Sequence, residues 1–168
     1  MKNNSAFIKE IFSSIQGEGP YIGYKQIFIR FCGCNLSCNY CDTDHTKEDQ
    51  FQVEYLSGSN DFEYLKNPVT TKDLLSVLSK FDLSLLHSIS LTGGEPLLYS
   101  EFLLEFLPEF KKNSQIKVFL ETNSTLVNEL KSIIHMIDIV SMDIKIPSSV
   151  NSNEYWNYAK EFLKTCKD

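Results

Sequence analysis

Four times along this chain a short apolar run ends on a small polar or cysteine-bearing tag, with helically spaced segments lying between the runs. The runs cover residues 27–31, 88–92, 116–120 and 138–144, and β-branched and aromatic side chains mark them as strands. Their tags are Cys32-Gly33-Cys34, Gly93-Gly94-Glu95, Glu121-Thr122-Asn123 and Asp143-Ile144-Lys145. Segments 70–80, 100–112, 126–135 and 153–164 read as helices. In the first of them Leu74, Leu75, Val77, Leu78 and Phe81 suit one face, with Thr70 or Thr71 as the N-cap. Strand–helix alternation on short connections implies βαβ units and a mainly parallel sheet. In such sheets ligands bind beyond the C-terminal ends of the strands, where all four tags lie. The pattern predicts one site assembled from several strand ends.

The rest of the chain is less telling. Residues 47–68 are polar and show no period, so a long excursion with at most a short helix is expected there. The start, Met1-Lys2-Asn3-Asn4-Ser5, leads into a mixed amphipathic segment with no secretory pattern, and no internal repeat is visible. No apolar run approaches the roughly 20 residues that cross a bilayer, so a cytoplasmic protein is expected. With 168 residues and 42% apolar content the chain is long enough for one domain with its own core. Sixteen basic residues against 22 acidic ones, a formal charge of −6, argue against a nucleic-acid surface but leave room for a local basic pocket.

Four of the five cysteines fall within ten residues: Cys32, Cys34, Cys38 and Cys41. In a reducing compartment such a group points to a metal or catalytic site rather than a disulfide framework. Cys34-x3-Cys38-x2-Cys41 puts three thiolates on one loop, enough to hold three irons of a [4Fe–4S] cube and leave the fourth open to a small molecule. The competing reading is a structural zinc site completed by Cys32 or His45. Cys32 stands one residue from Cys34, which is tight for joint chelation, and reads better as a small buried residue. Cys166 stands alone.

The cysteine spacing resembles that of the radical S-adenosylmethionine superfamily. The ordered set Ser14-Ile15-Gln16-Gly17-Glu18-Gly19-Pro20, Gly23, Phe28-Ile29-Arg30-Phe31, Gly33-Cys34-Asn35-Leu36 and Cys41-Asp42-Thr43 is similar to the 7-carboxy-7-deazaguanine synthase family. Thr92-Gly93-Gly94-Glu95-Pro96, Glu121-Thr122-Asn123 and Ser141-Met142-Asp143-Ile144-Lys145 continue the match, which runs from about residue 10 to about residue 147.

The resemblance implies an α/β fold of the radical SAM type, an incomplete (β/α) barrel. It implies a [4Fe–4S] cluster on Cys34, Cys38 and Cys41. The open iron of that cluster chelates S-adenosylmethionine, whose reductive cleavage gives methionine and a 5′-deoxyadenosyl radical. It places Tyr40, Cys41, Asp42, Gly94, Glu95, Ser141, Met142 and Asp143 beside S-adenosylmethionine, with Glu121 and Asn123 nearby. It makes Thr43 a Mg²⁺ ligand, and Ile15, Gln16, Gly17, Arg30 and Thr92 contacts to a pterin substrate. Gln16 offers a donor and an acceptor to an amide-bearing ring, and Arg30 a fork to a carboxylate.

The implied reaction turns 6-carboxy-5,6,7,8-tetrahydropterin into 7-carboxy-7-deazaguanine with loss of ammonia, on the route to queuosine and other 7-deazapurines. An electron donor such as flavodoxin or ferredoxin and a possible homodimer come with it. The family runs on past the last helix, which implies that this single-domain chain of residues 1–168 is shortened at its C-terminus. Two competitors stand beside this reading: a glycyl-radical enzyme activase, and a non-catalytic iron–sulfur or zinc module. Read alone, Gly93-Gly94 is a turn, Glu95-Pro96 a helix start, and Glu121-Thr122-Asn123 a polar strand exit.

Overall fold

The computed structural model describes residues 4–150 and 154–167. The residues expected at the extreme start, Met1-Lys2-Asn3, and the expected first residue of the last helix, Asn153, lie outside them.

A sheet of seven strands runs through the molecule in the order β5-β4-β2-β3-β7-β8-β9. Its strands are β2 (Ile8–Ile15), β3 (Lys25–Phe31), β4 (Gln50–Glu54), β5 (Glu63–Lys66), β7 (Ser88–Gly93), β8 (Lys117–Thr122) and β9 (Ile139–Met142). A two-residue ladder pairs β1 (Ser5–Ala6) with β6 (Val69–Thr70). The block β3-β7-β8-β9 is parallel throughout, and β2 is parallel to β4. Among the described residues, the antiparallel pairings of this sheet are β2–β3 and β4–β5, and the separate β1–β6 ladder is antiparallel too. The sheet is mainly parallel and open, with β5 and β9 as its edges.

One face carries the core. Ile27, Ile29 and Phe31 of β3, Ile89 and Leu91 of β7, and Val118 and Leu120 of β8 are buried against the helices. These are α1 (Thr71–Leu78), α2 (Ser100–Asn113), α3 (Val127–Ile133) and α5 (Tyr155–Thr165). Alternation along each strand turns the polar set Gln26, Arg30, Ser88, Ser90, Thr92 and Glu121 to the opposite face. Thr70 caps α1 in a reciprocal box with Asp73, which settles the choice between Thr70 and Thr71. A short helix α4 (Pro147–Val150) follows β9.

Two segments correct the sequence reading. The excursion 47–68 holds the antiparallel pair β4–β5, where Phe51 and Val53 of β4 are buried in the core and Leu65 of β5 packs against it. Two apolar positions among glutamines and glutamates were too few to stand out as a period. The amphipathic N-terminal segment is β2, beside β3. A register shift between Ile8 and Glu10 breaks its alternation and hid the strand. Smaller differences are at ends: β9 stops at Met142, and α3 gives way to a 3₁₀ turn over Ile134–Met136.

Candidate functional site

Four strand exits meet at a cleft of about 410 Å³. The β3 exit leads into the cysteine loop, where Cys34, Cys38, Tyr40, Cys41, Asp42, Thr43 and His45 line the wall. The β7 exit contributes Thr92, Gly93 and Gly94, the β8 exit Glu121, Thr122 and Asn123, and the β9 exit Ser141, Asp143 and Lys145. Arg30 reaches in from β3 and Glu18 from the β2–β3 loop.

The Gly-Gly pair lets the β7 exit and the cysteine loop touch. Gly93 has φ +124°, and a Cβ there would sit 2.3 Å from the Phe31 carbonyl oxygen; one on Gly94 would sit 1.9 Å from the Gly33 carbonyl oxygen. Gly94 N–H donates to Phe31 O (3.1 Å), Glu95 N–H to Gly33 O (2.9 Å), and Gly33 N–H to His45 O (2.7 Å). These backbone bonds clamp the start of the cysteine loop to the β7 exit and the His45 end of the loop to its start.

All five cysteines are free thiols. Cys34, Cys38 and Cys41 share the cleft, whereas Cys32 is fully buried away from it. Burial pushes the Cys34 and Cys38 thiols up. Among the described residues no three His, Cys, Asp or Glu side chains converge as a single ion requires. Three cysteine thiols lining one cleft are the donor set that a [4Fe–4S] cluster takes.

The expected S-adenosylmethionine contacts divide. Tyr40, Cys41, Asp42, Gly94, Ser141 and Asp143 line the cleft. Met142 instead packs against the core, as strand alternation requires of a neighbour of Ser141 and Asp143. Glu95 is fully buried behind the wall. Its carboxylate accepts from Leu97 N (3.1 Å), Thr122 Oγ1 (2.9 Å) and Asn123 N (2.8 Å). Burial raises its pKa to about 7, against the pull of those donors. The Glu95 carboxylate thus ties the β7 exit to the β8 exit from behind the cleft wall.

The expected substrate contacts divide too. Arg30, Thr92 and the expected metal ligand Thr43 line the cleft, whereas Ile15 and Gly17 do not. Gln16 is buried as a brace: its Nε2 donates to Glu121 Oε1 (2.7 Å), and its Oε1 accepts from Gly17 N (2.8 Å) and Glu18 N (3.1 Å).

Two residues escaped the sequence reading. Lys145 lies against the Tyr40 ring, 5.1 Å from its centroid, and is ion-paired with Asp143. Burial lowers its pKa, but Asp143 and Tyr40 outweigh that and hold the ammonium above the ordinary lysine range. Its place in the Asp143-Ile144-Lys145 tag was the available signal. Tyr155 of α5 is 1% exposed, and its hydroxyl accepts from Lys145 N (2.7 Å) and faces Asp143 O (2.9 Å) and Asn123 O (3.1 Å). A tyrosine on a helix beyond the last strand gave no signal in sequence.

Known proteins resemble this chain in sequence and in fold. A protein from Geobacter sulfurreducens named 7-carboxy-7-deazaguanine synthase is 39% identical over 98% of this chain and 66% of its own length. One of the same name from Methanothermobacter thermautotrophicus is 41% identical over 87% of this chain and 52% of its own. The chain thus spans about half to two thirds of the length of these curated relatives. The crystal structure of QueE from Escherichia coli superposes with a TM-score of 0.58, covering 98% of this chain and 80% of that one at 22% identity, which shows a shared fold. The described helices include none long and apolar enough to cross a membrane. A family profile described as the Radical SAM superfamily matches residues 28–168, and with the three cleft cysteines inside that match, the chain belongs to the radical SAM superfamily.

Proposed function

We propose that this chain carries the radical core of a 7-carboxy-7-deazaguanine synthase, converting 6-carboxy-5,6,7,8-tetrahydropterin to 7-carboxy-7-deazaguanine with loss of ammonia. The observation that carries the reading is the meeting of Cys34, Cys38 and Cys41 with Arg30, Thr92 and Asp143 on one cleft. The relatives' name supports it.

In this reading Cys34, Cys38 and Cys41 hold a [4Fe–4S] cluster. When bound, the cluster and S-adenosylmethionine supply radical chemistry that removes a hydrogen atom from carbon. The chain's own residues position the reactants. Gly94 brings backbone to the cleft wall, and Ser141 and Asp143 line it from β9. Lys145, neutralised by Asp143, keeps the polar wall from holding an unpaired buried charge. Arg30 presents a planar donor fork suited to the pterin carboxylate, and Thr92 beside it offers a hydroxyl. Thr43, on the cleft wall, would hold Mg²⁺ through its hydroxyl, and the ion would add positive charge beside the substrate carboxylate. A low-potential one-electron donor such as flavodoxin or ferredoxin completes the system, and a reducing cytoplasm suits five unpaired thiols.

The test is anaerobic reconstitution, incubation with S-adenosylmethionine and the pterin, and mass spectrometry of the products. Formation of 7-carboxy-7-deazaguanine supports the reading. Cleavage of S-adenosylmethionine without that product overturns it and leaves the superfamily assignment alone. Thr43→Ala tests the magnesium role: turnover should lose its magnesium stimulation while iron content stays unchanged.

A further inference from the structure

A single row of polar side chains crosses four adjacent strands. In register, Gln52 of β4 stands beside Glu10 of β2, Glu10 beside Arg30 of β3, and Arg30 beside Thr92 of β7. Arg30 and Thr92 line the cleft, whereas Glu10 and Gln52 stand behind them. Glu10 spends one carboxylate oxygen on Arg30 Nε (2.8 Å) and the other on Gln52 Nε2 (3.0 Å). Arg30 also lies over the Phe12 ring, 5.9 Å from its centroid. Among the described residues its only side-chain hydrogen bond is through Nε, which leaves the outer edge of the guanidinium uncommitted.

We propose that Glu10, braced by Gln52, is a positioning residue for Arg30: it pins Nε and so presents the outer guanidinium edge to the substrate carboxylate. The proposal rests on the reading that Arg30 meets that carboxylate. A guanidinium is planar, so fixing Nε and one face fixes the direction of both terminal nitrogens. The conformational freedom of the arginine is lost on folding, before substrate arrives, and binding gains by that preorganisation. Glu10 never needs to touch substrate.

Two measurements on the full chain test this. The first follows the Arg30 Nε–H by ¹⁵N NMR. It should be rigid and slow to exchange, and Glu10→Ala should make it mobile and fast. A wild-type signal as mobile as a free arginine overturns the proposal whatever the substrate.

The second compares steady-state kinetics of the cluster-loaded chain with 6-carboxytetrahydropterin. Glu10→Ala should raise KM for the pterin about tenfold, the scale of a charge-assisted hydrogen bond, with kcat largely kept. Glu10→Gln, which keeps an acceptor oxygen, should recover part of that loss. In an Arg30→Ala background Glu10→Ala should add nothing. Equal losses in both backgrounds, at unchanged iron content, overturn the proposal. If Arg30→Ala alone leaves KM unchanged while the NMR result holds, the substrate reading of Arg30 fails instead, and the positioning geometry stands.

Discussion

The side-chain amide of Asn123 lies 3.7 Å from Cys34 Sγ and donates to Asn35 Oδ1 at 2.9 Å. It thus ties the exit of β8 to the first cysteine of the loop. Asn123 is itself held from behind, its N–H bound by Glu95 and its Oδ1 accepting from Thr125 Oγ1 at 2.6 Å. Leu36 N–H supplies a second donor to the same sulfur at 3.4 Å. Donors to a cluster thiolate favour the more negative, reduced state and raise the reduction potential. Asn123→Ala should therefore load iron normally yet be harder to reduce, by roughly 60 mV if the lost bond is worth a factor of ten for one electron. Redox titration followed by electron paramagnetic resonance reads this. An unchanged potential would mean that the amide serves only Asn35.

The four clustered cysteines separate by burial. Cys32 is fully buried with its backbone N–H on Phe7 O, whereas Cys34, Cys38 and Cys41 share the cleft. Alanine at any of those three should abolish the visible absorption of the cluster and most of its iron. Cys32→Ala should keep both and cost about 1 kcal/mol of stability, the scale of a small core truncation. Iron lost from the Cys32 variant would overturn the ligand assignment.

What the sequence made legible follows from how local each signal is. Strands β3, β7 and β8 each bury three or more apolar or small side chains in a row and read as strands without their neighbours. The cysteines read from spacing alone, because a cluster loop is a local object. Glu95 did not. Its carboxylate turns back onto Thr122 and Asn123, 27 and 28 residues away, and no local pattern distinguishes that from a carboxylate facing the cleft. Gln16 likewise braces Glu121 across 105 residues, which no local pattern announces. Met142 was within reach: strand alternation already sets it opposite Ser141 and Asp143.

The contact between Gly94 and Gly33 predicts a sharp contrast between two glycines. A Cβ at Gly94 would lie 1.9 Å from Gly33 O and 3.0 Å from His45 Cβ, whereas one at Gly17 meets nothing within 4 Å. Gly94→Ala must push the cysteine loop off the sheet and should cost at least about 3 kcal/mol, with iron loading falling as well. Gly17→Ala should stay within about 0.5 kcal/mol of wild type. Thermal denaturation of the metal-free proteins compares them, and similar midpoints would refute the close approach.

The buried carboxyl of Glu95 sets a slope in stability against pH. Its pKa is raised from 4.5 to about 7 in the folded chain, chiefly by burial. Between those values the native state keeps a proton that the unfolded chain has released. Stability from this group is therefore full below pH 4.5, falls as pH rises toward 7, and is flat above. The whole change is roughly 3 kcal/mol at 1.36 kcal/mol for each pH unit of separation. His87 works the other way: burial holds its pKa below the ordinary imidazole value, so its contribution grows as pH rises through the same region. A difference between two proteins isolates Glu95. Glu95→Gln keeps the shape and one acceptor, the Thr122 hydroxyl can turn to accept, and nothing titrates there. Denaturant unfolding of the metal-free, reduced chains from pH 4.5 to 7.5 should show Glu95→Gln gaining on wild type steadily as pH rises. Parallel curves would mean that Glu95 is ionised throughout, its three donors outweighing burial.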